Sequence, residues 1–362
     1  MKVYLLLVFV IAVLAVEEKH LIKTSPHDQG KWMTVEQIDK LTMARENFMD
    51  VTYTKELENG AVPETSTVYP ELRMQKVVDP MIAKVSEKRL NATINHLGTY
   101  FNRYYTTENA EKASKWIRQY YEDIIDSIKD KDRKARISVE LFEHRWRQPS
   151  VIVRFSGKSA TVRDQLVILG SHCDSTAGGA TRRSPGADDD ASGTSSVMEA
   201  FRVMIKDKTF DPDRTVEWHH YAAEEVGLLG SQAVAQKYKQ DGKKVHGMLQ
   251  MDMTGYDSAA NKGRVGVVTD FTDAGINAVL RKSIEQYGKL PQVDMRCGYA
   301  CSDHASWTRA GYKSSFGFEV GAFSLANRAI HSANDLIGLL DMPRATKFVK
   351  FGIGLAVELS KE

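Results

Sequence analysis

Two adjacent glutamates close an apolar stretch and precede a glycine turn in "YAAEEVGLLGS" (residues 221–231). Neighbouring side chains on a strand point to opposite faces, so Glu224 and Glu225 are tolerated near a core only if each carboxylate has a partner. Other segments carry side chains of the same chemical kind. "LVILGSHCDS" ends in His172 and Asp174, and "SPGADDDASG" offers Asp188, Asp189 and Asp190 just before a helical pattern. "LQMDMTGY" supplies Asp252 and "AIHSAND" supplies His331. Singly, each has an ordinary explanation: a hydrogen-bonded histidine, a solvated turn, a helix cap. Converging in one cleft, two imidazoles and several carboxylates would need cations to neutralise the acids. Imidazole nitrogen and carboxylate oxygen are the ligands of hydrolytic zinc, and a shared carboxylate is the usual device of a two-metal site.

The elements that must position these groups follow from hydrophobic periodicity. "ARISVELFEHRW" and "PSVIVRFSG" form a hairpin pattern, and "DQLVILGSH" is a continuous apolar run suited to a strand buried on both faces. Helical and strand patterns then alternate: "ASGTSSVMEAFRVMIKD" is helical with Ser192 as a cap, and "TVEWHHYAA" is a strand. "SQAVAQKYKQDG" is a helix, "VHGMLQMDM" and "GRVGVVTD" are strands, and "DAGINAVLRKSIEQYG" is a helix. "YKSSFGFEV" is a strand and "PRATKFVKFGIGLAVELSK" a final helix. This order predicts an α/β fold: a single globular domain whose central, mainly parallel mixed β-sheet is sandwiched by helices. In such sheets a ligand lies beyond the carboxyl ends of the strands, where the acids and histidines fall. Of the remaining histidines, His219 and His220 point to opposite faces of a strand and read as packing and surface residues, while His304 could line the cleft.

The 362 residues are enough for one large core, and a net charge of +2 leaves no nucleic-acid or membrane-surface footprint. Residues 1–16, with Lys2 ahead of an apolar run ending in small residues, have the layout of a secretory signal peptide. Residues 17–70 are polar, with little β character, and read as a weak helical segment plus linker; a propeptide fits this position. The domain proper would span 71–362. Export places the chain where disulfides persist, so Cys297 and Cys301, with three residues between them in "RCGYACSDH", would pinch a loop. A metal-binding thiol pair lacks the second pair it would need, and Cys173 is left as a buried thiol. The sequon at Asn91 fits a glycosylated surface position. The expected location is extracellular, or the lumen of a lytic vacuole or lysosome.

"SHCDS", "PGADDDASG", "AAEEVGLLGS", "MDMTGY", "CGYACSDHASW" and "IHSAND" occur in the order and approximate spacing of the secreted di-zinc aminopeptidases of bacteria and fungi, the leucyl aminopeptidase type. The chain resembles that family over roughly residues 75–362, and "FNRYY" at 101–105 resembles the fungal members. The resemblance implies two zinc ions per chain: His172 and Asp252 on one, Glu225 and His331 on the other, and Asp189 bridging them, with Asp190 following through a cis peptide. It implies Glu224 as general base and acid, Asp174 as the residue that orients His172, and Tyr299 as an oxyanion stabiliser. The substrates would be peptides with a free N-terminus, cleaved after leucine or another bulky apolar first residue by a monomeric enzyme. A single-zinc glutaminyl cyclase on the same type of fold would not need His172. A zinc carboxypeptidase or dipeptidase would need a cation such as Arg182 or Arg183 for the substrate carboxylate. A non-catalytic binding module would have lost ligands, and none is missing.

Overall fold

Eight strands form one mixed sheet in this computed structural model, which describes residues 18–59 and 67–362. The proposed signal segment, residues 1–16, lies outside the described residues. The N-terminal arm holds three short strands, β1 (Lys19–Lys23), β2 (Lys31–Thr34) and β3 (Met49–Asp50), with helix α1 (Val35–Ala44) between the last two. The body begins with helices α2 (Gln75–Ile82), α3 (Glu87–Gly98), α4 (Glu108–Asp126) and α5 (Lys131–Ala135). Its strands are β4 (Ile137–Phe142), β5 (Ser150–Phe155), β6 (Gln165–His172), β7 (Thr215–Tyr221), β8 (Lys244–Gln250), β9 (Val265–Val268), β10 (Gln292–Met295) and β11 (Ser314–Phe318). Helices α6 (Ala191–Lys206), α7 (Leu229–Gln240), α8 (Ala274–Ser283), α9 (His304–Arg309) and α10 (Met342–Ser360) complete it.

The order across the sheet is β10-β9-β11-β8-β6-β7-β5-β4. The centre is parallel: β6 pairs with β7 and with β8, and β8 with β11. The edges carry the antiparallel pairs, β4 with β5, β5 with β7 and β9 with β11. Leu166 to Leu169 on β6 are all buried, because helices cover both faces of a central parallel strand. On one face α6 and α10 pack together over a core that includes Phe201, Trp218, Phe348 and Phe351. On the other, Trp307, Tyr221 and Tyr238 form a second cluster.

The arm departs from the expectation of a weak helix and linker. Its strands pair antiparallel in the order β2-β1-β3, and α1 begins with a capping box in which Thr34 and Gln37 exchange hydrogen bonds. Ile22, Ile38 and Phe48 pack with Tyr104, Val226 and Leu229 of the body, while Met49 and Val51 pack with Leu228 and Ala300. The alternation in "KHLIK" is too short to stand out, because this sheet is stabilised by the body it sits on. Asn91 is exposed on α3, its Oδ1 accepting from Asn95.

Candidate metal centre

The strand ends meet at one cleft. His172 is the last residue of β6, and its backbone N–H donates to Asp190 Oδ2 at 3.0 Å. Asp190 also caps α6, accepting from Gly193 N, and accepts from Met253 N beyond β8. One buried carboxylate therefore ties three loops together. The cap of α6 is Asp190 and not Ser192, whose hydroxyl donates to Asp188 O.

The three consecutive aspartates have separate surroundings. Asp188 turns to Asn327 Nδ2 at 3.0 Å, and burial together with Asp335 pushes its carboxyl up to about 8. Asp189, joined to Asp190 by a cis peptide, faces both imidazoles: His172 Nε2 at 3.0 Å and His331 Nε2 at 3.1 Å. Burial alone would raise the Asp189 carboxyl, but its bonds to His172 and His331 hold it well below the usual range. Asp335 accepts the N–H groups of Asp188 and Asp189 and so fixes the turn. Arg103, fully buried, donates to the carbonyls of Cys173, Pro185 and Gly186 and clamps the same loop from behind. That arginine is in "FNRYY", where sequence reasoning assigned it no role.

Two groups of donors result. His172, Asp189 and Asp252 bring their ligand atoms within 4.8 Å of one another, and so do Asp189, Glu225 and His331. Asp189 belongs to both. In each group the imidazole has an oxygen partner on Nδ1, leaving Nε2 toward the carboxylates. His172 Nδ1 lies 3.3 Å from Asp174 Oδ1, and His331 Nδ1 donates to the carbonyl of Thr42 at 3.0 Å. Asp174 also accepts the N–H groups of Glu224 and Glu225. Ser302 Oγ donates to Asp252 Oδ2 at 2.5 Å. Ser302 sits inside the "CGYACSDHASW" motif but was not singled out from sequence.

The donor set fits zinc. Asp252 Oδ1 and Glu225 Oε1 are buried and have no hydrogen-bond partner among the described residues. Such orphaned anionic oxygens are costly unless a cation meets them. Burial would lower both imidazoles, yet Asp252 and Glu224 around His172, and Glu225 and Asp189 around His331, raise them well above the ordinary value. A third group, Cys297, Cys301 and His304, has its sulfurs joined in a disulfide, so it offers no thiolates.

Glu224 stands apart from both donor groups. It is half-buried and lines a cleft of about 580 Å³ together with Asp189, Glu225, Asp252 and His331. Burial is the main influence pushing its carboxyl up; His172 opposes it, and Asp303, Asp252 and Glu225 add to it. Beyond the acids the cleft wall has an apolar part made by Phe48, Met253, Phe316, Phe318, Phe323 and Ile330. Arg182 and Arg183 are not among the lining residues, whereas Arg45, Arg296 and Arg328 are.

Other residues fall elsewhere than expected. Tyr299, although on the disulfide-pinched loop, is not among the cleft-lining residues; its hydroxyl lies 3.9 Å from Met49 Sδ of the arm and its ring packs on Phe271. His304 is fully buried against Phe316 and does not reach the cleft. His219 and His220 are both buried, the first bonded to Glu217 and Tyr221, the second to Tyr121 and Ser171. A surface role for either is ruled out because helices cover both faces of β7.

The description of peptidase family M28 matches residues 150–351. The leucine aminopeptidase 1 of Colletotrichum graminicola is 37% identical over 355 residues, covering 94% of this chain and 86% of its own. That of Trichoderma harzianum is 38% identical over 359 residues, covering 94% and 87%. Among solved structures, the Legionella pneumophila LapA aminopeptidase superposes with a TM-score of 0.84 at 27% identity, covering 95% of this chain and 98% of that one. Fold, donor set and sequence agree: this chain belongs to peptidase family M28.

Proposed function

We propose that the cleft removes the N-terminal residue from peptides, with leucine or another bulky apolar residue preferred, using two zinc ions per chain. The observation that carries this reading is the pair of donor groups sharing Asp189 beside a carboxylate that belongs to neither. His172 and Asp252 would hold one ion, Glu225 and His331 the other, and Asp189 both. Bound zinc supplies a water of lowered pKa and a Lewis acid for the peptide carbonyl.

The chain's own residues do the rest. Glu224 takes the proton of the attacking water on its carboxylate and returns it to the leaving amine. Asp174 fixes the peptide units of Glu224 and Glu225 and orients His172, so base and ligands keep their spacing. The apolar wall of Phe316, Phe318, Phe323 and Ile330 suits a bulky apolar first side chain. Arg296 and Arg328, the cleft arginines outside residues 17–70, favour one further property, a preference for short peptides whose C-terminal carboxylate they would meet.

Residues 1–16 as an export signal and 17–70 as a segment released on processing complete the reading, with a monomeric, secreted or vacuolar product glycosylated at Asn91. Peptide sequencing of the exported protein tests this part. The activity is tested with leucine 4-nitroanilide and its N-acetylated form, with and without chelator. Cleavage of the free amine alone, lost with chelator and restored by zinc, is expected. Cleavage of the acetylated form, or no cleavage by a zinc-loaded chain, overturns the reading.

A further inference from the structure

The two donor groups are supported from different parts of the chain. The His172 side is held by the body alone: Asp190 on the His172 N–H, Thr194 on its carbonyl, Asp174 on its Nδ1, and Ser302 on Asp252. The Glu225–His331 side is completed by the arm. The carbonyl of Thr42 accepts from His331 Nδ1 at 3.0 Å, and the Thr42 hydroxyl donates to the carbonyl of Glu225 at 2.8 Å. One residue of α1 thus bonds the ring of His331 and the backbone of Glu225, 289 and 183 residues away in sequence. A carbonyl can only accept, so this contact fixes the proton on Nδ1 and leaves Nε2, which faces Glu225 and Asp189, as the nitrogen free to ligate a metal.

The arm's placement is over-determined. Asn47 donates to Cys297 O, Arg45 to Arg328 O, and Asp50 N to Gly227 O at 3.0 Å. Gly227 has φ +101°, and a Cβ there would lie 2.5 Å from Asp50 N, so the turn after the two glutamates is shaped to receive the arm.

We propose that Thr42 is a positioning residue: while attached, the arm holds the Glu225–His331 side of the centre in metal-binding geometry and leaves the His172 side untouched. The inference rests on the two-zinc reading. Partners that orient metal ligands are typically worth about 10- to 100-fold in metal affinity. The test uses the full chain and measures both zinc dissociation constants by chelator competition, with no substrate present. Thr42→Val, which removes the hydroxyl bond to Glu225 O and keeps the backbone carbonyl on His331 Nδ1, should still bind two zinc ions, one of them about 10-fold more weakly, and Thr42→Ser should restore it. Placed in a His331→Ala chain, Thr42→Val should leave the remaining affinity within about twofold. Ser302→Ala should weaken the ion that Thr42→Val spares. Two zinc ions bound by Thr42→Val as tightly as by the wild type, or a loss that persists in the His331→Ala chain, would overturn the positioning role of the Thr42 hydroxyl. A wild-type chain that binds a single zinc would overturn the two-zinc reading on which the inference stands.

Discussion

The body and the arm meet at the same cleft but are built differently. The body's half rests on buried strand ends and on carboxylates that each satisfy several backbone groups; Asp190 alone accepts from His172, Gly193 and Met253. The arm's half rests on a three-stranded sheet and one helix that add small apolar contacts and single hydrogen bonds across the cleft rim. One half of the centre is therefore held by the body alone, while the other adds contacts from residues 18–59 to those that Asp174 and Asp335 make. Local stability of this kind varies across a structure, and segments with fewer buried contacts open first.

Asp189 is the point where the halves join, so changing it should erase the difference. Asp189→Asn is expected to lose both zinc ions and at least about 10³-fold in kcat/KM, because the shared charge serves both groups. Metal analysis beside kinetics checks it, and retention of one tightly held zinc would show that the groups are independent. Next in size is Glu224→Gln. It should keep both metals, since Glu224 is in neither group, and lose about 10²- to 10⁴-fold in kcat with little change in KM. Loss of metal would reassign Glu224 as a ligand.

The smallest effect concerns the arm itself. His20 Nδ1 lies 2.6 Å from Asp50 Oδ2, and that hydrogen bond raises the histidine above 6.5 despite burial. A group with a raised pKa in the folded state contributes stability that is complete below about 6.5 and is lost as pH rises through the folded value. The arm should accordingly loosen on the alkaline side while the body does not, by roughly 1 kcal/mol or less. Hydrogen exchange of β1 against β6 across that range measures it, and a His20→Gln chain should show no such pH dependence.

Much of the body's half was readable because its signals are local. "DQLVILGSH" has the continuous apolar run expected of a doubly buried strand, and its ligand-type residues follow at the strand end, as in "YAAEEV" and "LQMDM". The aspartate triplet was less legible: three consecutive carboxylates look alike in sequence, and only the tertiary surroundings separate Asp188, facing Asn327, from Asp189, facing the imidazoles. The arm's half was hidden. Thr42 looks like any helix residue, and its contacts lie 183 and 289 positions away. The short strand β10 also went unread, because four residues of mixed polarity leave no period to detect.

The most direct test of the account is the zinc content of the intact chain, followed through a titration of the metal-free protein while hydrolysis of leucine 4-nitroanilide is recorded. The account predicts two zinc ions per chain, taken up with unequal affinity, and full activity only as the second binds. Full activity at one zinc per chain, with no second ion bound, would contradict it.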